Sequence, residues 1–108
     1  MIEGIFKVCY RMPKRTGSCI CVLKSGQIAG GGGLMHYTGT YEQRGRQITC
    51  EVHARKHANS TETLFDGIEE FHIQFDGTVR DGYGQMNGVI TEIPDAQVQA
   101  SISRLSMM

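Results

Sequence analysis

The chain has 108 residues, enough for one domain over positions 1–108, and a chain of this size buries roughly 65% of the surface its unfolded form exposes. Eleven Lys plus Arg balance eleven Asp plus Glu, so the composition lacks the net positive field of a direct nucleic-acid binder or a membrane-surface protein. The opening MIEGIFKVCYRMPKR is not laid out as a signal peptide, and no apolar run approaches about 18 residues, which predicts a cytoplasmic protein with no membrane partner.

Ile2 to Tyr10 alternates, with Ile2, Gly4, Phe6, Val8 and Tyr10 on one side and Glu3, Ile5, Lys7 and Cys9 on the other, the period of a strand. Arg11 to Gly17 carries Pro13 and three cations and reads as a turn whose charges are solvated. Ser18 to Leu23 is apolar on both sides, as for a strand covered on both faces or lining a closed interior. Lys24-Ser25-Gly26-Gln27 is a hairpin turn. The run Gly30 to Gly33 reads as a bend or barrel corner. A phosphate-cradling loop is excluded by context, because Leu34-Met35-His36-Tyr37 follows instead of a helix or a Lys-Ser/Thr pair.

Tyr37 to Tyr41 is a short strand, and Glu42-Gln43-Arg44-Gly45-Arg46 is a polar hairpin loop. Ile48, Cys50, Val52 and Ala54 then alternate with Gln47, Thr49, Glu51, His53 and Arg55, the cleanest half-buried strand in the chain. Lys56 to Gly67 loses periodicity and reads as the longest loop. Alternation resumes from Ile68, with Phe71, Ile73 and Phe75 inward, and Asp76-Gly77 closes that strand as a turn. Thr78 to Thr91, with Gly82, Gly84 and Gly88, reads as one sharply bent strand, and Ala96 to Leu105 as a last strand that closes on the first. The segments YTGTY and FDGTV share the pattern aromatic-x-Gly-Thr-x, a faint echo between hairpins.

About eight strands joined mostly by short turns predict an all-β protein with little helix, an antiparallel up-and-down barrel. An eight-stranded barrel is just wide enough to be filled by side chains or to hold one small ligand, and the residues assigned to its interior are Phe6, Val8, Phe71, Ile73, Phe75 and Met86. A small apolar ligand in that cup is therefore the alternative function.

The four cysteines (Cys9, Cys19, Cys21, Cys50) have irregular spacing and read as free thiols. Metal binding is the sharpest alternative from spacing, at Cys19-x-Cys21, Cys50-x-x-His53 and His57. Structural zinc prefers ligand pairs on turns, whereas Cys19 and Cys21 fall within a strand and Cys50 and His53 on opposite faces, so neither metal nor cofactor is expected. His36, His53, His57 and His72 read as surface or hydrogen-bonded strand histidines. Glu69 and Glu70 are adjacent on a strand and diverge. With no nucleophile elbow or metalloprotease helix, no catalytic residue is assigned and the protein is not expected to be an enzyme.

Gly4-Ile5-Phe6, Val22-Leu23-Lys24-Ser25-Gly26-Gln27-Ile28, Gly30-Gly31 through Tyr37-x-Gly39, and Ile48 with Val52-His53 together resemble the GrlR-like family of small type III secretion negative regulators, over about the first half of the chain. The resemblance implies a lipocalin-like (calycin) barrel, a homodimer, and a regulatory role exercised by binding a transcriptional activator. In the family's best-known member an exposed acidic loop between the two middle strands carries the contact. Here the corresponding residues are Glu42, Gln43, Arg44, Gly45 and Arg46, with two arginines in place of the acidic run, and this inversion favours an acidic partner surface.

Overall fold

The computed structural model describes residues 1–63 and 67–107. Its eight strands are β1 (Gly4–Met12), β2 (Arg15–Lys24), β3 (Gln27–Gly31), β4 (Met35–Arg44), β5 (Gln47–Lys56), β6 (Glu70–Arg80), β7 (Tyr83–Ile90) and β8 (Ile93–Ser106). Each pairs antiparallel with the next, and β8 pairs with β1, with Val8 opposite Ile102, so the sheet closes on itself in an up-and-down barrel. Closure leaves no edge strand exposed to another chain. Among the described residues there is no helix.

Alternation decides which side chains go inside. Phe71, Ile73, Phe75 and Val79 of β6 are buried, and Glu70, His72, Gln74 and Asp76 between them are exposed. The largest fully buried side chains are Phe6, Phe71, Ile48, Ile90, Ile102 and Val98, and each contributes about 1.5–3 kcal/mol relative to exposure. The outward face is lined mostly by charged and polar residues, such as Lys7, Thr40, Glu51, Gln74 and Gln99. This is the inverse of a lipid-facing barrel, whose outer band is apolar.

Two hairpins are set by left-handed backbone. Ser25 and Gly26 (φ 52° and 80°) and Asp81 and Gly82 (φ 51° and 78°) form two-residue turns with both central residues at positive φ, whose twist matches that of the flanking strands.

The second of these turns corrects the sequence reading. Asp76-Gly77 is not a turn but lies within β6, and the turn falls at Asp81-Gly82, which divides the expected single strand 78–91 into the end of β6 and β7. Gly77 is needed for space: a Cβ there would stand 2.0 Å from the Gln85 carbonyl oxygen and 2.7 Å from the Met86 Cα. Gly39 in β4 is equivalent, with 2.0 Å to the Glu51 carbonyl oxygen, so the two glycines of the aromatic-x-Gly-Thr-x echo mark two places where neighbouring strands approach closely.

Other boundaries move as well. The turn expected over Arg11–Gly17 shrinks to Pro13 and Lys14, with Arg11 and Thr16 paired across it. Gly30 and Gly31 belong to β3, where they pair with Cys21 and Ile20, and only residues 32–34 connect β3 to β4. The apolar-on-both-sides reading of β2 resolves into an inward face, Cys19, Cys21 and Leu23, and an outward face on which Ile20 is 44% exposed. The long connection between β5 and β6 includes Leu64, Phe65 and Asp66, which lie outside the described residues.

Candidate functional site

The hairpin tip named by the sequence is shorter than a five-residue loop. Glu42, Gln43 and Arg44 are the last residues of β4, and only Gly45 (φ 61°) and Arg46 form the turn to β5. Glu42, Arg44, Gly45 and Arg46 are exposed. Gln43 is half-buried and its amide is used internally: Oε1 accepts from the Ile2 N–H at 2.6 Å and Nε2 donates to the Gly45 carbonyl at 2.8 Å. Beside it the Tyr41 hydroxyl donates to the Ile2 carbonyl at 2.6 Å, so two side chains of β4 clip residue 2 across the barrel end. Burial pushes the Tyr41 phenol above its ordinary value.

The turn at Arg46 abuts the one at Asp81-Gly82, where the Val79 N–H donates to the Arg46 carbonyl at 2.8 Å. A groove of about 500 Å³ runs along these turns, with Gln43, Arg46, Arg80, Asp81 and Arg104 on its walls. Arg104 is held in place: its Nε donates to the Glu3 carbonyl at 3.0 Å and its guanidinium sits 5.6 Å from the centre of the Phe6 ring. Arg80 lies 3.6 Å from the carboxylate of its own neighbour, Asp81. Among the described residues neither Arg44 nor Arg46 takes part in an ion pair. This end of the barrel therefore presents two unengaged guanidinium groups next to two partly engaged ones.

The interior assignment resolves into two sets. Phe6 and Phe71 are fully buried and pack the core. Val8, Ile73, Phe75 and Met86 border an apolar cavity of about 70 Å³. A water molecule takes about 30 Å³ of liquid, and pockets for drug-sized molecules run from about 300 to 1,000 Å³. The cup expected for a small apolar ligand is thus nearly filled by the barrel's own side chains.

Sequence reasoning missed the sulfur on the wall of that cavity. Cys19, Cys21 and Cys50 all line it, with Met12 and Met86. The Cys19 and Cys21 sulfurs are 3.9 Å apart, and the Cys50 thiol lies 3.6 Å from the Met86 sulfur. Cys19 and Cys21, placed within a strand by the sequence, share one face because the strand period is two. Cys9, one residue out of phase with Val8, is exposed. Burial pushes the Cys50 thiol up to about 12.

On the outer face His53 of β5 and His72 of β6 are directly opposite, their rings stacked 4.5 Å apart and 4° from parallel. His53 Nε2 meets Glu70 Oε2 at 2.5 Å, and His72 Nδ1 meets Glu92 Oε2 at 2.6 Å. The hydrogen bonds from His72 hold the Glu92 carboxyl below its ordinary range. Glu69 instead reaches Lys56 at 3.3 Å, so the two adjacent glutamates do diverge. Arg15, expected to be solvated, pairs with Glu62 at 2.9 Å and donates to the Thr63 carbonyl at 3.1 Å, tying the β1–β2 hairpin to the long connection.

The fold and these surfaces define a closed, eight-stranded antiparallel barrel with a packed apolar interior and one arginine-rich end. The chain matches no protein-family model and no curated protein. No helix among the described residues is long and apolar enough to cross a membrane.

Proposed function

We propose that the protein is a non-enzymatic, cytoplasmic regulator of the kind its sequence resembles, acting by binding another protein, a transcriptional activator of a secretion system, through the arginine-rich end of the barrel. The observation that carries this reading is the pairing of exposed, unengaged Arg44 and Arg46 at the tip with Arg80 and Arg104 across the groove. Guanidinium groups in this setting suit carboxylates, which they bind in a fork, so the partner surface is acidic. The small interior supports contact from outside over capture of a ligand inside. The protein acts as a homodimer, and the outer face of β1 and β2, where Ile5 stands opposite Val22 and Ile20 is exposed, supplies apolar area for that contact.

Affinity isolation of the tagged protein from its source cell tests the reading. The expected result is a regulatory protein with an acidic surface, lost when Arg44 and Arg46 are replaced by Ala. Recovery of a small apolar molecule in the barrel with no protein partner would overturn it in favour of a ligand-binding barrel.

A further inference from the structure

The sulfur-lined cavity carries an inference independent of the partner reading. Cys19 and Cys21 project from β2 into the barrel, and β2 is held on both sides, by β1 (Val8 opposite Cys19) and by β3 (Gly30 opposite Cys21). Their sulfurs stand 3.9 Å apart. Two metal–sulfur bonds of about 2.3 Å each span at most about 4.6 Å, so a single ion between these sulfurs reaches both.

The surroundings select the kind of ion. Among the described residues no group of three or more His, Cys, Asp and Glu side chains is placed to hold a metal, so zinc, which takes four such ligands in structural sites, is not served. A hard ion such as Mg²⁺ dehydrates reluctantly, and an apolar cavity of about 70 Å³ has little room for its water. A soft monovalent ion is different: thiolate and thioether ligands select Cu(I), which accepts two thiolates alone.

The site has room and an approach. Gly30 is packed closely against β2, where a Cβ would come 2.2 Å from the Ile20 carbonyl oxygen and 2.8 Å from the Cys21 sulfur, so glycine leaves space beside that thiol. Cys19, Tyr10 and Tyr37 border both the cavity and a second groove of about 190 Å³, which opens past Gly32 and Gly33. Cys19 therefore stands between the outside and the interior.

We propose that Cys19 and Cys21 form a two-thiolate site for a soft, thiophilic monovalent metal ion, Cu(I), entered past Gly32 and Gly33. Binding forms two sulfur–copper bonds and releases the two thiol protons to solvent, with no change of oxidation state.

The test is an anaerobic titration of the reduced protein with Cu(I) against a chromogenic Cu(I) chelator, in a Cys9→Ser background that removes the exposed thiol. One Cu(I) per chain is expected, with thiolate-to-copper absorption in the ultraviolet. Cys19→Ser or Cys21→Ser should weaken uptake at least a hundredfold, while Cys50→Ser leaves it unchanged and Zn(II) is not retained. In case the Ser variants fail to fold, alkylation of the Cys9→Ser protein provides a second readout: Cu(I) should protect Cys19 and Cys21 but not Cys50. Absence of Cu(I) uptake, loss of uptake in Cys50→Ser, stoichiometric retention of Zn(II), or equal alkylation of Cys19 and Cys21 with and without Cu(I) would each overturn the proposal.

Discussion

Gly39 and Gly77 occupy equivalent places in the barrel: a Cβ on either would stand 2.0 Å from a carbonyl oxygen of the following strand, that of Glu51 for Gly39 and of Gln85 for Gly77. Both are flanked by an aromatic residue two positions before and a threonine one position after, Tyr37 and Thr38-Gly39-Thr40 in β4, Phe75 and Asp76-Gly77-Thr78 in β6. The obstacle in each case is backbone, which cannot turn aside as a side chain can. Gly39→Ala and Gly77→Ala should each cost about 1–3 kcal/mol through overpacking, read as a lower urea midpoint. Gly33→Ala is the control: among the described residues other than its chain neighbours no atom lies within 4 Å of a Cβ there, and stability should stay within about 0.5 kcal/mol of the parent.

Alkaline pH should destabilise the fold through Cys50. The thiol has an ordinary value of 9.0 and is pushed up to about 12 by burial, with the Asp76 charge adding to the effect. Because the folded value is the higher one, the contribution is present in full below pH 9.0 and is lost as pH rises towards about 12, where the unfolded chain ionises and the folded chain resists. The slope from one such group is up to about 1.4 kcal/mol per pH unit. Urea denaturation between pH 8 and 11 should show a shallower decline for Cys50→Ala than for the parent.

The His72–Glu92 contact should be visible in titration. Hydrogen bonds from the His72 ring and backbone lower the Glu92 value, so the stability this carboxylate contributes is present above the ordinary carboxylate range and is lost as pH falls through the lowered value. Side-chain NMR should show Glu92 titrating below an ordinary glutamate, and His72→Gln should move it back up. An unchanged Glu92 titration in that variant would contradict the assignment.

Much of the barrel was legible because period two is a strong signal wherever one face is buried. Phe71, Ile73 and Phe75 announced the inward side of β6, and all three are buried. Two features defeated the pattern. Asp76-Gly77 and Asp81-Gly82 both have the chemistry of a hairpin turn, and only continued alternation through Val79 distinguishes the first as mid-strand. The approach of the Cys19 and Cys21 sulfurs to 3.9 Å was not drawn from the sequence, although the strand period of two places both on one face. At the tip, the exposed arginines were legible from composition. The internal use of the Gln43 amide was not, because its partner Ile2 is 41 residues away in the chain.

The central claim, recognition of an acidic protein through the arginine-rich end, is tested most directly by the affinity of the isolated partner for the parent and for the Arg44→Ala, Arg46→Ala double variant. Both substitutions are at exposed positions, so circular dichroism should show the same sheet content. Binding should weaken at least tenfold, about 1.4 kcal/mol, and the salt dependence of the remaining affinity should be shallower than the parent's. Equal affinity and equal salt dependence in a variant that keeps its fold would contradict the account.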